Sequence, residues 1–356
     1  MSKRKKKTPA PEPQTPPPQD KTAPGKERRN LAKHSTILFV VTAIALLAIF
    51  LGRWVYAITE GYFASFVQRD ASVSEAVSHM DGLEPTIGES ERMLPLQQEW
   101  DLFTSSRLRD EVTVTAADGV TLHGYLYDEG SDVTVVVLPR YNQDGTADFL
   151  PGPWLWEETG CNLLLPDPRA HGGSGGDYFG FGYLEQNDLV CWLDWAEETL
   201  GEQTFLLWGE GTGANTALFA AASGLLPDSV AFLVAESPYA SLHQLASTGI
   251  WNWYQVPAFP FLNTIEWKLA RSDAGYTVED ANLGAALENS SASLPVLFLF
   301  SDGDAYIRPE WSEAVYDRYP GPKELVRGSG SHGTLYSEES TAITALLRQW
   351  CDTYLP

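Results

Sequence analysis

Ile37 through Leu51 is apolar at every position except Thr42, and the run continues through Arg53 to about Ile58. At about 1.5 Å per residue, a helix of about 22 residues crosses the roughly 30 Å of a bilayer's hydrocarbon. The pattern predicts a transmembrane helix over 35–59, with Arg53 near its end reaching the interface on its aliphatic stem. A stalk of helical or irregular character is expected over 60–108. Val112-Thr113-Val114 and Thr121 to Leu126 then flank Asp118-Gly119, a hairpin signal. Short apolar runs follow at Val133–Leu138, Asn162–Leu165, Phe205–Trp208, Val230–Val234, Val296–Phe300 and Glu324–Val326.

Between those runs, Leu184, Leu189, Trp192, Leu193 and Ala196 recur at helical spacing, and Thr212 to Ser223 reads as an Ala-rich helix. Strands this apolar, separated by helices, belong to a mostly parallel sheet covered on both faces. The expected body, 109–356, is therefore a doubly wound α/β domain. The rhythm breaks over about 241–287, where Trp251, Trp253, Tyr254, Pro257, Phe259, Pro260 and Phe261 cluster, and an inserted cap is expected there.

Charge sharpens the division. Residues 1–53 hold 11 of the 24 Lys+Arg and 3 of the 47 Asp+Glu, so the remainder carries 13 − 44 = −31. So acidic a body repels phosphate backbones, and nucleic acid is excluded as a partner on that ground. Residues 1–34, with Lys3 to Lys7 and Pro16-Pro17-Pro18, lack the apolar surface to order themselves and read as a disordered tail. The basic flank is N-terminal to the apolar run, so the positive-inside rule places the tail in the cytoplasm and the body outside a cell membrane crossed once. The lipid bilayer is then the partner of 35–59. A cleaved signal peptide is the competing reading, with small residues offered at Val55-Tyr56-Ala57. Cys161, Cys191 and Cys351 show neither a disulfide framework nor zinc-ligand spacing; they read as small buried hydrophobes, and no metal or other cofactor is expected.

One loop is specific enough to carry a resemblance. Pro166-Asp167-Pro168-Arg169-Ala170-His171-Gly172-Gly173-Ser174-Gly175-Gly176, followed by Phe181-Gly182-Tyr183-Leu184-Glu185 and Asp188, resembles the D-x-R-x-H-G-x-S-x-G loop of the α/β-hydrolase superfamily. The likeness is to bacterial membrane-anchored members akin to the serine aminopeptidase and monoacylglycerol lipase group, and it covers roughly 100–353. Glycines let this chain turn tightly after a strand, and Asp and Arg tie the turn by charge-assisted hydrogen bonds, so Ser174 and His171 are read as structural.

The resemblance implies a nucleophile elbow, G-x-S-x-G, between a strand and a helix. Leu206-Leu207-Trp208-Gly209-Glu210-Gly211-Thr212-Gly213 has that setting, with Gly211 at the nucleophile position. Glycine has no side chain to attack a carbonyl, so the family's acyl-enzyme route is closed there. Thr212 is expected to offer its backbone N–H as one half of an oxyanion hole. The other half falls on Tyr141, in Pro139-Arg140-Tyr141-Asn142, where the family's His-Gly has become Pro-Arg and Arg140 either crowds the hole or fills it with charge. The family's H-G-x-x-D pattern places the triad acid at Asp304, with Asp302 as the rival, and the base at His332.

These residues imply a catalytically degenerate hydrolase that binds a ligand or partner, a small-molecule ester or peptide being the ligand the fold suggests. Two other readings stay open: an active esterase or peptidase in which His332 and Asp304 use water or a non-standard nucleophile, and a structural envelope protein whose cap holds a partner of unknown identity.

Overall fold

The computed structural model describes residues 24–68 and 90–356, so residues 1–23 of the expected tail and 69–89 of the expected stalk lie outside the described part. The chain divides into two compact units, 1–54 and 55–356. In the first, the described chain is helical throughout and belongs to α1 (Pro24–Phe66). The 32 residues from Lys33 to Ala64 are long and apolar enough to cross a membrane by length and composition.

The second unit is built on eight strands: β1 (Asp110–Thr115), β2 (Thr121–Tyr127), β3 (Val133–Leu138), β4 (Asn162–Pro166), β5 (Thr204–Glu210), β6 (Val230–Glu236), β7 (Val296–Ser301) and β8 (Lys323–Gly328). They form one sheet in the order β1-β2-β4-β3-β5-β6-β7-β8. The β1–β2 and β2–β4 pairs are antiparallel, and every pair from β4 to β8 is parallel. Every residue of β3, β4 and β7 is buried, as continuous apolar runs require when helices cover both faces.

On one face, α4 (Glu185–Leu200) buries Leu189, Trp192, Leu193 and Ala196, the positions its periodicity picked out, beside α5 (Thr212–Ala222), α8 (Leu283–Glu288) and α9 (Pro309–Arg318). On the other, α2 (Met93–Ser105), α3 (Gly152–Thr159) and α10 (Leu335–Tyr354) close over Trp208, Phe232 and Leu297. The hairpin and all six apolar runs predicted from sequence are strands.

Three expected boundaries move. The N-terminal helix starts at Pro24, inside the stretch 1–34 read as a disordered tail, because the apolar span's helix extends through the polar residues before it. The stretch read as a stalk enters the body at both described ends: Tyr62, Phe63, Phe66 and Val67 are buried, and α2 packs Trp100 and Phe103 into the core. Short amphipathic elements flanking an apolar span read as linker because their partners lie outside any local window, Tyr127 for Phe103 and Tyr141 for Phe66 among them. The cap also ends earlier than expected. Its helices α6 (Leu242–Tyr254) and α7 (Ala258–Leu269) form a separate apolar cluster, whereas Leu283 and Leu287 pack with α5 under the sheet. The side chains of Trp253 and Tyr254, named for the cap, lie outside the described part.

Candidate functional site

Ligands of open parallel sheets bind beyond the carboxyl ends of the strands, where loops from several crossovers meet. The loops after β3, β5, β6, β7 and β8 converge there. Gly211 follows β5 and caps α5 with φ 53° and ψ −108°, a backbone that glycine adopts freely and other residues only under strain. Its N–H donates to the Glu236 carbonyl at 2.8 Å, which ties the turn to the end of β6. The flanking glycines are sterically required: a Cβ at Gly209 would lie 2.5 Å from the Ala214 nitrogen, and one at Gly213 would overlap the Leu138 carbonyl. At Gly211 itself a Cβ would meet only Arg140 Cβ, at 3.5 Å, so the turn keeps room for a side chain.

Asp304 and His332 stand together. His332 Nδ1 lies 2.8 Å from Asp304 Oδ2, and both residues are buried. A carboxylate accepts, so Nδ1 carries the proton and Nε2 is left with its lone pair; this tautomer is assigned from the partner. Asp304 is held by three further donors: Ser237 Oγ to Oδ2 at 3.3 Å, and the N–H groups of Tyr306 and Ile307 to Oδ1 at 2.9 and 2.8 Å. The rival acid, Asp302, is instead more than half exposed and pairs with Arg327 at 2.6 Å, so geometry gives the histidine to Asp304.

His332, Gly211, Thr212 and Tyr141 line one cavity of about 80 Å³, together with Arg140 and Tyr239 among others. Of the residues singled out from sequence, the structure brings these four to one cavity with Asp304 one hydrogen bond behind, and leaves Asp302 outside it. Thr212 is the first residue of α5, where a backbone N–H has no partner within the helix. The Thr212 and Tyr239 hydroxyls are buried without a hydrogen-bond partner, an arrangement that costs about 1–3 kcal/mol per group until something polar reaches them.

Arg140 does not aim its charge into the gap at Gly211. Its Nη1 bonds Glu210 Oε2 at 2.7 Å, and Gln143, with its amide oxygen turned to the guanidinium, accepts from Nε and Nη2 at 3.2 and 2.8 Å. Behind this pair, burial pushes the Glu236 carboxyl up to about 8, reinforced by the carboxylates of Glu210 and Asp304 and opposed by Arg140. Sequence reasoning missed Glu236, Ser237 and the Arg140–Glu210 pair. The Glu210–Glu236 cross-strand register was the one available signal, and it needs the β5–β6 pairing to be known.

The loop that carried the resemblance is structural throughout. Asp167 accepts from Gly145 N, Gly173 N and His123 Nδ1 at 2.7, 2.7 and 2.8 Å. Arg169 bonds Asp188 through Nε and Nη2, at 2.8 and 2.6 Å, and Asp118 through Nη1 at 2.9 Å. Ser174 Oγ donates to the Asp167 carbonyl at 2.7 Å and accepts from His123 N, so its hydroxyl is spent inside the turn.

Strand order, elbow, and the placement of the Asp and His loops define the α/β-hydrolase fold. Solved structures agree. The chain is similar to the Pyrococcus furiosus esterase Pf2001 at 22% identity and TM-score 0.59, covering 76% of this chain and 98% of that one. It is similar to the α/β hydrolase GrgF of Penicillium sp. sh18 at 20% identity and TM-score 0.52, over 69% of this chain and 99% of that one. By sequence it is 27% identical over 256 residues to YqkD, an uncharacterized protein of Bacillus subtilis (strain 168), spanning 71% of this chain and 83% of YqkD. No protein-family model matches the chain.

Proposed function

We propose that this is a membrane-anchored, extracytoplasmic α/β-hydrolase-fold protein that binds a ligand without covalent catalysis. One observation carries the reading: the residue with elbow geometry, facing the same cavity as a buried His332–Asp304 pair, is Gly211. No described lining residue stands in for the missing hydroxyl at that point. Thr212 lies one position on, inside α5, and Arg140 is committed to Glu210. The anchor rests on the apolar helix 33–64 and its N-terminal basic flank, with the cell membrane, through 35–59, as the lipid partner.

Hydrolysis of short acyl esters by the full-length protein in lipid nanodiscs, compared with Gly211→Ser and His332→Ala, is the direct test. Turnover only in Gly211→Ser is the expected result. Wild-type turnover that His332→Ala abolishes would overturn the non-covalent reading in favour of a second one, favoured by the intact dyad: His332 Nε2 takes a proton from water as its oxygen bonds the acyl carbon, and the tetrahedral adduct then expels the alkoxide, which takes that proton from the imidazolium and leaves as the alcohol. Loss of the nucleophile in a serine hydrolase leaves only about 10³–10⁴ over water from binding and the oxyanion hole. Here one half of that hole carries Arg140 in place of glycine.

A further inference from the structure

From Val55 onward the N-terminal helix belongs to the body, and its last turns are bound into it on several sides. The Tyr62 hydroxyl donates to the Ala246 carbonyl of α6 at 3.3 Å, Phe179 N donates to the Val67 carbonyl at 2.8 Å, and Lys268 of α7 pairs with Glu60 at 2.6 Å. The contact that reaches the site runs through Tyr141. Its hydroxyl donates to the Phe66 carbonyl at 3.2 Å, and its ring lies 5.3 Å from the Phe66 ring. Phe181 stacks on the Tyr141 ring at 5.8 Å and 14°, and Phe66 closes the triangle at 4.7 Å from Phe181. Two aromatic neighbours and a hydrogen bond at the hydroxyl together hold the Tyr141 ring in one rotamer.

Tyr141 is also a wall of the cavity at Gly211, and that cavity has two characters. The lining near the elbow is polar, with His332 and the first backbone N–H of α5, at Thr212, and Leu245 and Ile307 add an apolar part. Arg140 is neutralised by Glu210, so the polar end suits an uncharged head with both a donor and an acceptor.

We propose that the last turn of the N-terminal helix is part of the ligand site: Phe66 positions Tyr141, and through it sets how long an apolar arm a small uncharged amphiphile bound at Gly211 carries. The inference rests on the reading of the cavity as a ligand site. It makes Phe66 a positioning residue, acting through the tyrosine it grips.

The test uses the full chain in phosphatidylcholine nanodiscs and straight-chain primary amides from acetamide to octanamide, which present such a head and resist hydrolysis. Affinity, read by calorimetry, is expected to rise with chain length, reach a maximum and fall. In Phe66→Ala the tyrosine ring moves into the vacated volume, so the maximum shifts at least two carbons longer and the octanamide-to-acetamide affinity ratio rises at least tenfold. Phe66→Leu, which keeps most of the packing, is expected to retain the wild-type maximum, as is Leu102→Ala on the exposed side of α2. An unchanged maximum in a cooperatively folding Phe66→Ala, or a uniform loss at all lengths, would overturn the proposal. So would the failure of every amide to bind the wild type. Ester turnover by the wild type, by contrast, overturns the non-covalent reading and leaves the chain-length limit standing.

Discussion

His332 Nδ1 and Asp304 Oδ2 lie 2.8 Å apart, and His332 lines the same cavity as Gly211, which has no side chain. On the proposed reading, the pair faces a position with nothing to deprotonate. Because a Cβ at 211 would touch only Arg140 Cβ at 3.5 Å, Gly211→Ser is expected to fold, with a loss of about 1–2 kcal/mol from the positive φ. The new hydroxyl should gain labelling by a fluorophosphonate at least tenfold above wild type, and Gly211→Ser with His332→Ala should lose that gain. A serine variant that folds yet labels no faster than wild type would show that the dyad does not face position 211.

The Glu236 carboxyl has a pH signature. Its folded value, about 8, lies above the ordinary 4.5, so between those values the folded state holds a proton that the unfolded chain has released. Stability therefore falls as pH rises through that interval and levels off above about 8, the reverse of a salt-bridged carboxylate. Glu236→Gln cannot ionise, so it should flatten the curve and gain on the order of 4 kcal/mol relative to wild type between pH 5 and pH 9. Urea midpoints across that range read it directly; parallel curves for the two proteins would contradict it.

Arg140→Ala removes the guanidinium that Glu210 and Gln143 share. The half-buried Glu210 loses its partner, and a destabilisation of about 1–3 kcal/mol is expected. Arg140→Ala/Glu210→Gln should recover most of it, because the pair goes together. A double-mutant cycle with no coupling would mean that the ion pair contributes nothing net.

Asp167 accepts three hydrogen bonds with its side chain 1% exposed, so Asp167→Ala strands Gly145 N, Gly173 N and His123 Nδ1 together. A loss of about 3 kcal/mol or more follows from such a deletion. Ser174→Ala, by contrast, should cost only about 1 kcal/mol. If Ser174→Ala also left every measured activity intact, the turn reading of that serine would hold; selective loss of activity would argue against it.

The membrane anchor is checked by mass. Membrane-associated protein retaining the full 39.2 kDa, and resisting extraction by alkaline carbonate, is expected of an uncleaved anchor. Soluble protein whose first residue lies just after Ala57 would support a cleaved signal instead.

Much of this architecture was legible because its signals are local. Continuous apolar runs marked the buried strands, the period of Leu189, Trp192, Leu193 and Ala196 marked α4, and glycines at 209 and 213 marked the elbow by the contacts they permit. The resemblance supplied Asp304, with Asp302 as its rival, and His332; the His332–Asp304 distance then chose between the two acids. What stayed hidden depends on pairings across long separations. Phe66 reaches Tyr141 across 75 residues, and Ser237 reaches Asp304 across 67. The Glu236 environment arises only when β5 and β6 lie side by side. An aromatic at the end of an apolar helix looks the same in sequence whether it ends in solvent or under a cap.

Asp304 satisfies four donors: the imidazole, a serine hydroxyl at the end of β6, and two amides of its own loop. Remove the reaction and all four bonds still fasten three separate crossover loops at one carboxylate. Mutational drift at this position is therefore opposed by folding alone, with or without chemistry to protect. An aspartate and a histidine so placed are a keystone of the fold whatever else they do, whereas position 211, where a Cβ would meet only Arg140, carries no such structural duty.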